Sequence, residues 1–415
     1  MVSSIPSDWE YCSLADVVVL IRNGTSSKQV KENTPYPVTR IETISDGVID
    51  YSSVGYLSKP EPKYLMQHGD ILFSHINSIE HVGKVAIYDE DKPLYHGMNL
   101  LLIRSDKAIM EPSYLFRILS SAKGRTNARR EAKPAINQVS LAQKQVFSLP
   151  ILLPPLPEQR RIAEVLDAAD DAIRQTERVI AKLRQIKQGL LHDLLTRGLG
   201  ADGNLRDLVA HPEQFKDSAL GRIPKTWETT KLIDHFSFPS GQVDPTQEPY
   251  RNWPLIAPDH IESATGRLLK IETAAEQNAI SGKYVFEPGD VIYSKIRPYL
   301  KKATMVNQVG LCSADMYPLH PLETLNSRFL LALILGEDFS RFAIAVSMRS
   351  GFPKINRDEM GEYITALPPI EEQRRIAAVL DAHDARIRAE EAVLAKRRQV
   401  KRGLMDDLLT GRVRV

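Results

Sequence analysis

Leu153-Pro-Pro-Leu-Pro-Glu-Gln-Arg-Arg-Ile-Ala163 returns 214 residues later as Leu367-Pro-Pro-Ile-Glu-Glu-Gln-Arg-Arg-Ile-Ala377. The match continues without a gap to Thr196 and Thr410, with about two-thirds of its positions identical, which is far beyond chance. Each copy reads as one long helix. Pro154, Pro155 and Pro157 punctuate the first start and Pro368 and Pro369 the second, and no proline interrupts either run. In the first copy Leu166, Ile173, Ile180, Lys187 and Leu194 recur every seven residues, as do Ile162, Ala169, Thr176, Leu183 and Leu190. These are the a and d rows of a heptad repeat. The second copy places Leu380, Ile387, Leu394, Lys401 and Leu408 at a, over a more polar d row of Ile376, His383, Glu390, Arg397 and Leu404. A half-polar helix of about 57 Å needs a partner, and its near-copy is the obvious one. Antiparallel pairing around a pseudo-twofold axis would set the segments preceding the two copies at opposite ends. Lys187 and Lys401 either fix register within the seam or snorkel out of it.

The segments ahead of the helices echo each other more faintly. Ile5-Pro6 and Trp9-Glu10 answer to Ile223-Pro224 and Trp227-Glu228. Gly69-Asp-Ile-Leu-Phe-Ser-His-Ile76 answers to Gly289-Asp-Val-Ile-Tyr-Ser-Lys-Ile296, and Pro134-Ala-Ile-Asn137 to Pro353-Lys-Ile-Asn356. The predicted organisation is a first variable domain (1–152), a first spacer helix (153–197), a linker and second variable domain (198–366), and a second spacer helix (367–415). Short β-rich runs at 17–21, 70–73, 85–88 and 100–103 precede a helical stretch at 112–122, and a second helical run falls at 327–335. The fold class is therefore α+β: two mixed domains separated by two long antiparallel helices.

The 415 residues exceed one ordinary core. With 43% hydrophobic and 26% charged residues, the composition is that of a globular protein. No apolar run approaches the roughly 20 residues a bilayer span needs, and no secretory leader is evident, so a cytoplasmic protein is expected. Two cysteines, Cys12 and Cys312, lack metal-ligand spacing. Gly198-Leu-Gly-Ala-Asp-Gly203 has the glycine spacing of a dinucleotide loop but follows a helix rather than a strand, so it reads as a helix stop. No phosphate-binding loop, nucleophile elbow or metal cluster emerges, and the chain reads as non-catalytic. Asp70 and Asp290 head matched strands; a glycine–aspartate turn explains them, and a nuclease carboxylate is the alternative.

Basic and polar residues recur at matched places in both domains. Lys123, Arg125, Arg129, Arg130 and Lys133 crowd the run before Asn137; Arg341, Arg349, Lys354 and Arg357 surround Asn356. His75, Asn77 and Lys84 follow the first Gly-Asp strand, and Lys295, Arg297, Lys301 and Lys302 follow the second. Such residues neutralise phosphates or bond base edges, against the plainer reading of a solvated basic face. The net charge of +2 leaves any such face local.

The paired Leu-Pro-Pro-Leu-x-Glu-Gln-Arg-Arg-Ile-Ala blocks, the Ile-Pro-x-x-Trp-Glu starts and the Gly-Asp-Ile-Leu-Phe-Ser strand resemble the specificity subunits of type I restriction–modification systems across essentially the whole chain. The resemblance implies a non-catalytic subunit in which each variable domain reads one half of a bipartite asymmetric double-stranded DNA site. It implies that the helices set the spacing and dock two modification subunits, which bear S-adenosylmethionine and methylate adenine at N6. Restriction subunits would add ATP- and Mg-dependent translocation and cleavage, and no cofactor falls to this chain. Glu158, Gln159, Arg160 and Arg161, with Glu372, Gln373, Arg374 and Arg375, match the family's helix-opening motif. They join Leu166, Ile173, Ile180, Leu380, Ile387 and Leu394 as expected docking or helix-pairing residues. A coiled-coil scaffold for other proteins is a second alternative.

Overall fold

The computed structural model describes residues 5–45, 47–135, 138–348 and 352–415. Its contacts divide the chain into two units, residues 1–177 with 392–415 and residues 178–391. The cuts at 177 and 391 are 214 residues apart, the repeat's own offset, so each unit takes the first half of one long helix and the second half of the other. The segmentation read from sequence kept each helix whole. The structure divides them because the opening turns of one and the closing turns of the other enter the same core.

In the first unit, strand Glu10–Ser13 pairs antiparallel with Pro150–Leu153, clasping the two ends of the variable domain at the foot of the helix. Between them an antiparallel sheet orders strands Val85–Ile87, Ile71–Phe73, Leu101–Ser105 and Val18–Asn23. Helices α1 (Pro112–Ser120), α2 (Ala122–Glu131) and α3 (Gln143–Phe147) follow, then α4 (Leu156–Thr196). One core joins Ile71, Phe73, Leu101 and Ile103 of the sheet, Tyr114 and Leu115 of α1, and Ile162 and Leu166 of α4 with Leu408 and Leu409.

The second unit repeats the plan with differently arranged accessory sheets. Glu228–Lys231 clasps Ile364–Leu367, and one sheet orders Phe236–Ser237, Met316–Pro321, Val291–Ser294 and Ala303–Met305. A further mixed sheet, absent from the sequence echo, pairs Pro254–Ile256 in parallel with Gly310–Cys312. Helices α5 (Ser327–Leu335), α6 (Glu337–Ser347) and α7 (Arg357–Gly361) lead to α8 (Ile370–Leu408). Phe329 through Leu335 are all buried, so α5 is a core helix apolar on every side. It packs in one cluster with Trp227, Leu194, Ile376 and Leu380.

Within each unit the helix halves run antiparallel. In the first, Glu158 pairs with Arg414 (2.7 Å), Asp170 with Lys401 and Glu177 with Arg398 (2.7 Å), so partner numbers fall as α4 advances. Arg397 takes the place of an apolar d residue and donates to Ala172 O (2.6 Å) and Thr176 Oγ1 (2.5 Å). In the second, Lys187 pairs with Asp384 and Arg184 with Glu391 (2.6 Å). Lys187 and Lys401 therefore neither sit unpaired in the seam nor escape it: each meets a carboxylate on the facing helix, and each pair is the other's image under the repeat. The variable domains join these networks. Arg117 of α1 reaches Asp167 and Asp170, and Arg328 of α5 reaches Asp381 (2.6 Å) and Asp384 (2.7 Å).

Gly198, read as a helix stop, has φ +62° just beyond α4. A Cβ there would lie 2.2 Å from Glu372 Oε1 and 2.5 Å from the Trp227 ring, so both backbone and space require glycine.

Candidate nucleic-acid interface

The Gly-Asp turns place their carboxylates inside the fold. Asp70 accepts from Gln67 N (2.7 Å) and takes both arms of Arg104 (2.7 Å each). Asp290 accepts from Glu287 N (2.9 Å) and contacts His320 Nδ1 (2.7 Å), and its burial pushes its pKa up. No group of three His, Cys, Asp or Glu among the described residues could hold a metal ion. Both aspartates are occupied in closing turns, which removes the ground for a nuclease at Asp70 or Asp290.

At the far end of each strand the backbone makes the same knot in both units. His75 O accepts from Leu141 N (2.8 Å), and Lys295 O accepts from Ile355 N (2.9 Å). The structural counterpart of Ile355-Asn356 is thus Leu141-Ala142, and the echo of Pro134–Asn137 with Pro353–Asn356 is out of register. Asn137 and Arg349 lie outside the described residues. Ala142 and Asn356 precede the short helices α3 and α7, whose first residues are Gln143 and Arg357. Asn356 Oδ1 accepts from Glu359 N (2.8 Å) and its own N–H donates to Glu359 Oε2 (2.8 Å). This capping box occupies the Asn356 acceptor that was a candidate for reading adenine.

The knot brings the two predicted residue sets together. In the first unit, strand Ile76–Asn77 pairs with Gln138–Ser140, which pairs in turn with Lys133–Ala135, so Asn77 and Lys133 share one small sheet beside His75. Lys133 is exposed, and Lys84 is half-buried with no side-chain partner among the described residues. On α2, Lys123 lies 5.9 Å from the Tyr11 ring, Arg125 is half-buried, and Arg129 donates to Glu80 O (3.0 Å), tying the helix to the turn beside it. Arg130 is exposed beside Glu131. In the second unit Ile296 bridges to Lys354, and Arg297, at φ +49°, stacks 4.8 Å from the Phe352 ring. The remaining members do not converge. Lys301 pairs with Glu337 (2.6 Å), Lys302 donates to Pro258 O (2.7 Å), and Arg341 pairs with Asp338.

Sequence reasoning missed the rings among these cations. Arg357 lies 4.5 Å from the Phe238 ring, 5.6 Å from Tyr317 and 5.8 Å from Tyr284, and Lys295 lies 5.2 Å from Tyr317. Tyr317 is opposite Tyr293, which follows the Gly-Asp turn, but Phe238, just past strand Phe236–Ser237, and Tyr284, in strand Tyr284–Phe286, are remote in sequence and carry no local signal.

The helix-opening motif has two faces. Glu158 accepts from Trp9 Nε1 (3.0 Å) and both arms of Arg414 (2.9 and 2.7 Å). Glu372 accepts from Trp227 Nε1 (3.0 Å), Leu199 N (3.0 Å) and Arg206 (2.6 and 2.9 Å). Gln159 accepts from Glu111 N (2.9 Å) and donates to Ile109 O and Pro154 O; Gln373 accepts from Asn326 N (2.8 Å) and donates to Thr324 O and Pro368 O. Glu158, Gln159, Glu372 and Gln373 are buried and hold their own domains to the helix, so the expectation that they dock another subunit fails on access. Arg160, Arg161, Arg374 and Arg375 remain exposed. Leu166, Ile173, Ile180, Leu380 and Ile387 are buried and Leu394 half-buried along the seam.

A family profile described as "Type I restriction modification DNA specificity domain" matches residues 6–185 and 224–396. A putative type I restriction enzyme MjaX specificity subunit of Methanocaldococcus jannaschii is 34% identical over 100% of this chain and 96% of its own length. The EcoDI specificity subunit of Escherichia coli is 31% identical over 56% of this chain and 54% of its own. Among solved structures, a chain from work on complex assembly and conformational transition of the type I R-M system matches with a TM-score of 0.61, at 20% identity, over 99% of this chain and 100% of that one. An S subunit from M. genitalium matches with a TM-score of 0.57, at 15% identity, over 98% and 96%.

Proposed function

The chain belongs to the family of type I restriction–modification DNA specificity subunits, and from that premise we propose how it reads DNA: each variable domain reads one half of a split double-stranded site, and the helix pair carries the two readers at a fixed spacing. The observation that carries this reading is a duplicated frame with diverged contents. Both units keep the strand clasp, the Gly-Asp turn, the Trp–Glu bond and the knot at 75 and 295, yet differ in the side chains that the knot presents. A symmetric dimer of one reader addresses a palindrome; two unlike readers in one chain address an asymmetric target.

Catalysis belongs to partners in this reading. Two modification subunits supply S-adenosylmethionine and transfer its methyl group to adenine N6, and restriction subunits use ATP and Mg. The exposed arginines at 160, 161, 374 and 375 are the part of the helix-opening motif open to those partners. A cytoplasmic location follows from these substrates, and no described helix is long and apolar enough to cross a membrane.

The test is sequencing of native DNA from cells carrying the complete system. N6-methyladenine is expected in a motif of two unlike half-sites separated by a fixed non-specific gap. Methylation confined to an unsplit motif, or unaltered when this chain is deleted, contradicts the reading.

A further inference from the structure

Three positions that the knot aligns differ in chemistry between the units. His75 corresponds to Lys295, and Gln143 to Arg357, as first residues of the short helices. Leu101 corresponds to Tyr317, since each pairs with the third residue of its Gly-Asp strand, Phe73 or Tyr293. In the first unit these side chains line an open cleft of about 380 Å³ with Asn23 and Lys133. His75 is 8% exposed there, its Nδ1 has no partner among the described residues, and burial pushes its pKa down, so the ring is neutral at neutral pH. In the second unit the matched place holds two cations against rings.

Arg357 differs from four other arginines that pack inside the fold. Arg104, Arg117, Arg206 and Arg328 are held by carboxylates. Arg357 is held by Phe238, Tyr317 and Tyr284, and no carboxylate among the described residues pairs with it. Among the described residues no hydrogen bond engages its guanidinium, and the side chain is half-buried rather than enclosed. Rings against a guanidinium restrain its plane through the cation–π attraction and leave the in-plane N–H edge available. A fixed two-donor fork matches the O6 and N7 acceptors that guanine presents in the major groove.

Resting on the recognition reading above, we propose that these matched positions are where each domain meets a base edge, and that Arg357 reads a guanine in the half-site of the second domain. The cleft that presents the uncharged His75 and Gln143 at these positions serves the other half-site, so the two halves differ in the base met there.

The test measures binding of the chain, assembled with its modification subunits, to duplexes carrying the native motif and to a series with each base pair of both half-sites replaced. With the unsubstituted chain, replacing one G·C pair of the second half-site is expected to weaken binding about tenfold to a hundredfold. In Arg357→Gln that penalty disappears while penalties in the first half-site persist, which also reports that the complex is folded. If the glutamine variant does not assemble, Arg357→Lys, which keeps a cation against the rings, is expected to bind with a reduced guanine penalty. An unchanged penalty pattern, or an equal loss for every duplex as a phosphate contact gives, overturns the inference. No sequence preference in the unsubstituted complex overturns the recognition reading itself, and this inference with it.

Discussion

His96 shows how one side chain sets a pH response in this fold. It is fully buried, Nε2 lies 3.0 Å from Leu100 O, and Nδ1 has no partner among the described residues. Desolvation, only partly offset by the bond to Leu100, pushes its pKa down to about 4 from the usual 6.5. The unfolded chain therefore takes up the proton first. Stability of the first unit is whole above pH 6.5 and erodes as the pH falls toward 4, by about 3 kcal/mol in all. Denaturant titrations across that range should show the slope, and His96→Gln should remove it, apart from what His75 adds in the same direction. Glu372 gives a second residue-scale prediction. Glu372→Ala strands Trp227 Nε1, Leu199 N and the Arg206 guanidinium, which is expected to cost about 3–5 kcal/mol in the unfolding of residues 178–391. A loss under 1 kcal/mol would show these groups re-solvated at little cost. Both effects were invisible in sequence. The Glu-Gln-Arg-Arg motif marked the right residues, but only burial separates the Glu and Gln that face inward from the arginines that do not.

At the level of elements, periodicity was most informative where it ran longest. The spacer helices expected within 153–197 and 367–415 occupy 156–196 and 370–408, and the run at 327–335 is a helix at those bounds. The 112–122 stretch is instead two helices, broken after Ser120 where Ser121 caps α2 through Gly124 N (3.0 Å). The extra mixed sheet of the second unit was missed because its strands are two or three residues long, too short to show an alternation, and its one parallel pairing joins Leu255 to Leu311. The helices carry the element-scale prediction. Inserting four residues after both Glu177 and Glu391 leaves the ion pairs inside each unit intact and adds about 6 Å of helix. A four-residue stutter is tolerated with a local change in supercoil. The mapped motif should gain one or two base pairs of gap, with some loss of affinity from the accompanying rotation, and unchanged half-sites. A folded, active insertion with the original gap would make the helices a docking surface only.

For the whole molecule, the strand clasps make each variable domain a closed excursion from the helical frame. Replacing residues 1–152 with the same region of a relative should therefore change one half-site of the methylated motif and leave the other alone; changes in both would mean joint reading. The same architecture has a consequence for the order of assembly. Residues 178–391 form a contiguous unit, whereas the first unit needs residues 392–415, including Leu408 and Leu409 in its core and Arg414 on Glu158. On the ribosome, the domain synthesised first is thus completed last, its core short of Leu408 and Leu409 until the entire second unit has been made. A chain stopped at Glu391 should lose the cooperative unfolding of its N-terminal unit while keeping that of the unit nearest the truncation, so damage at one end of the message is felt in the reader encoded at the other.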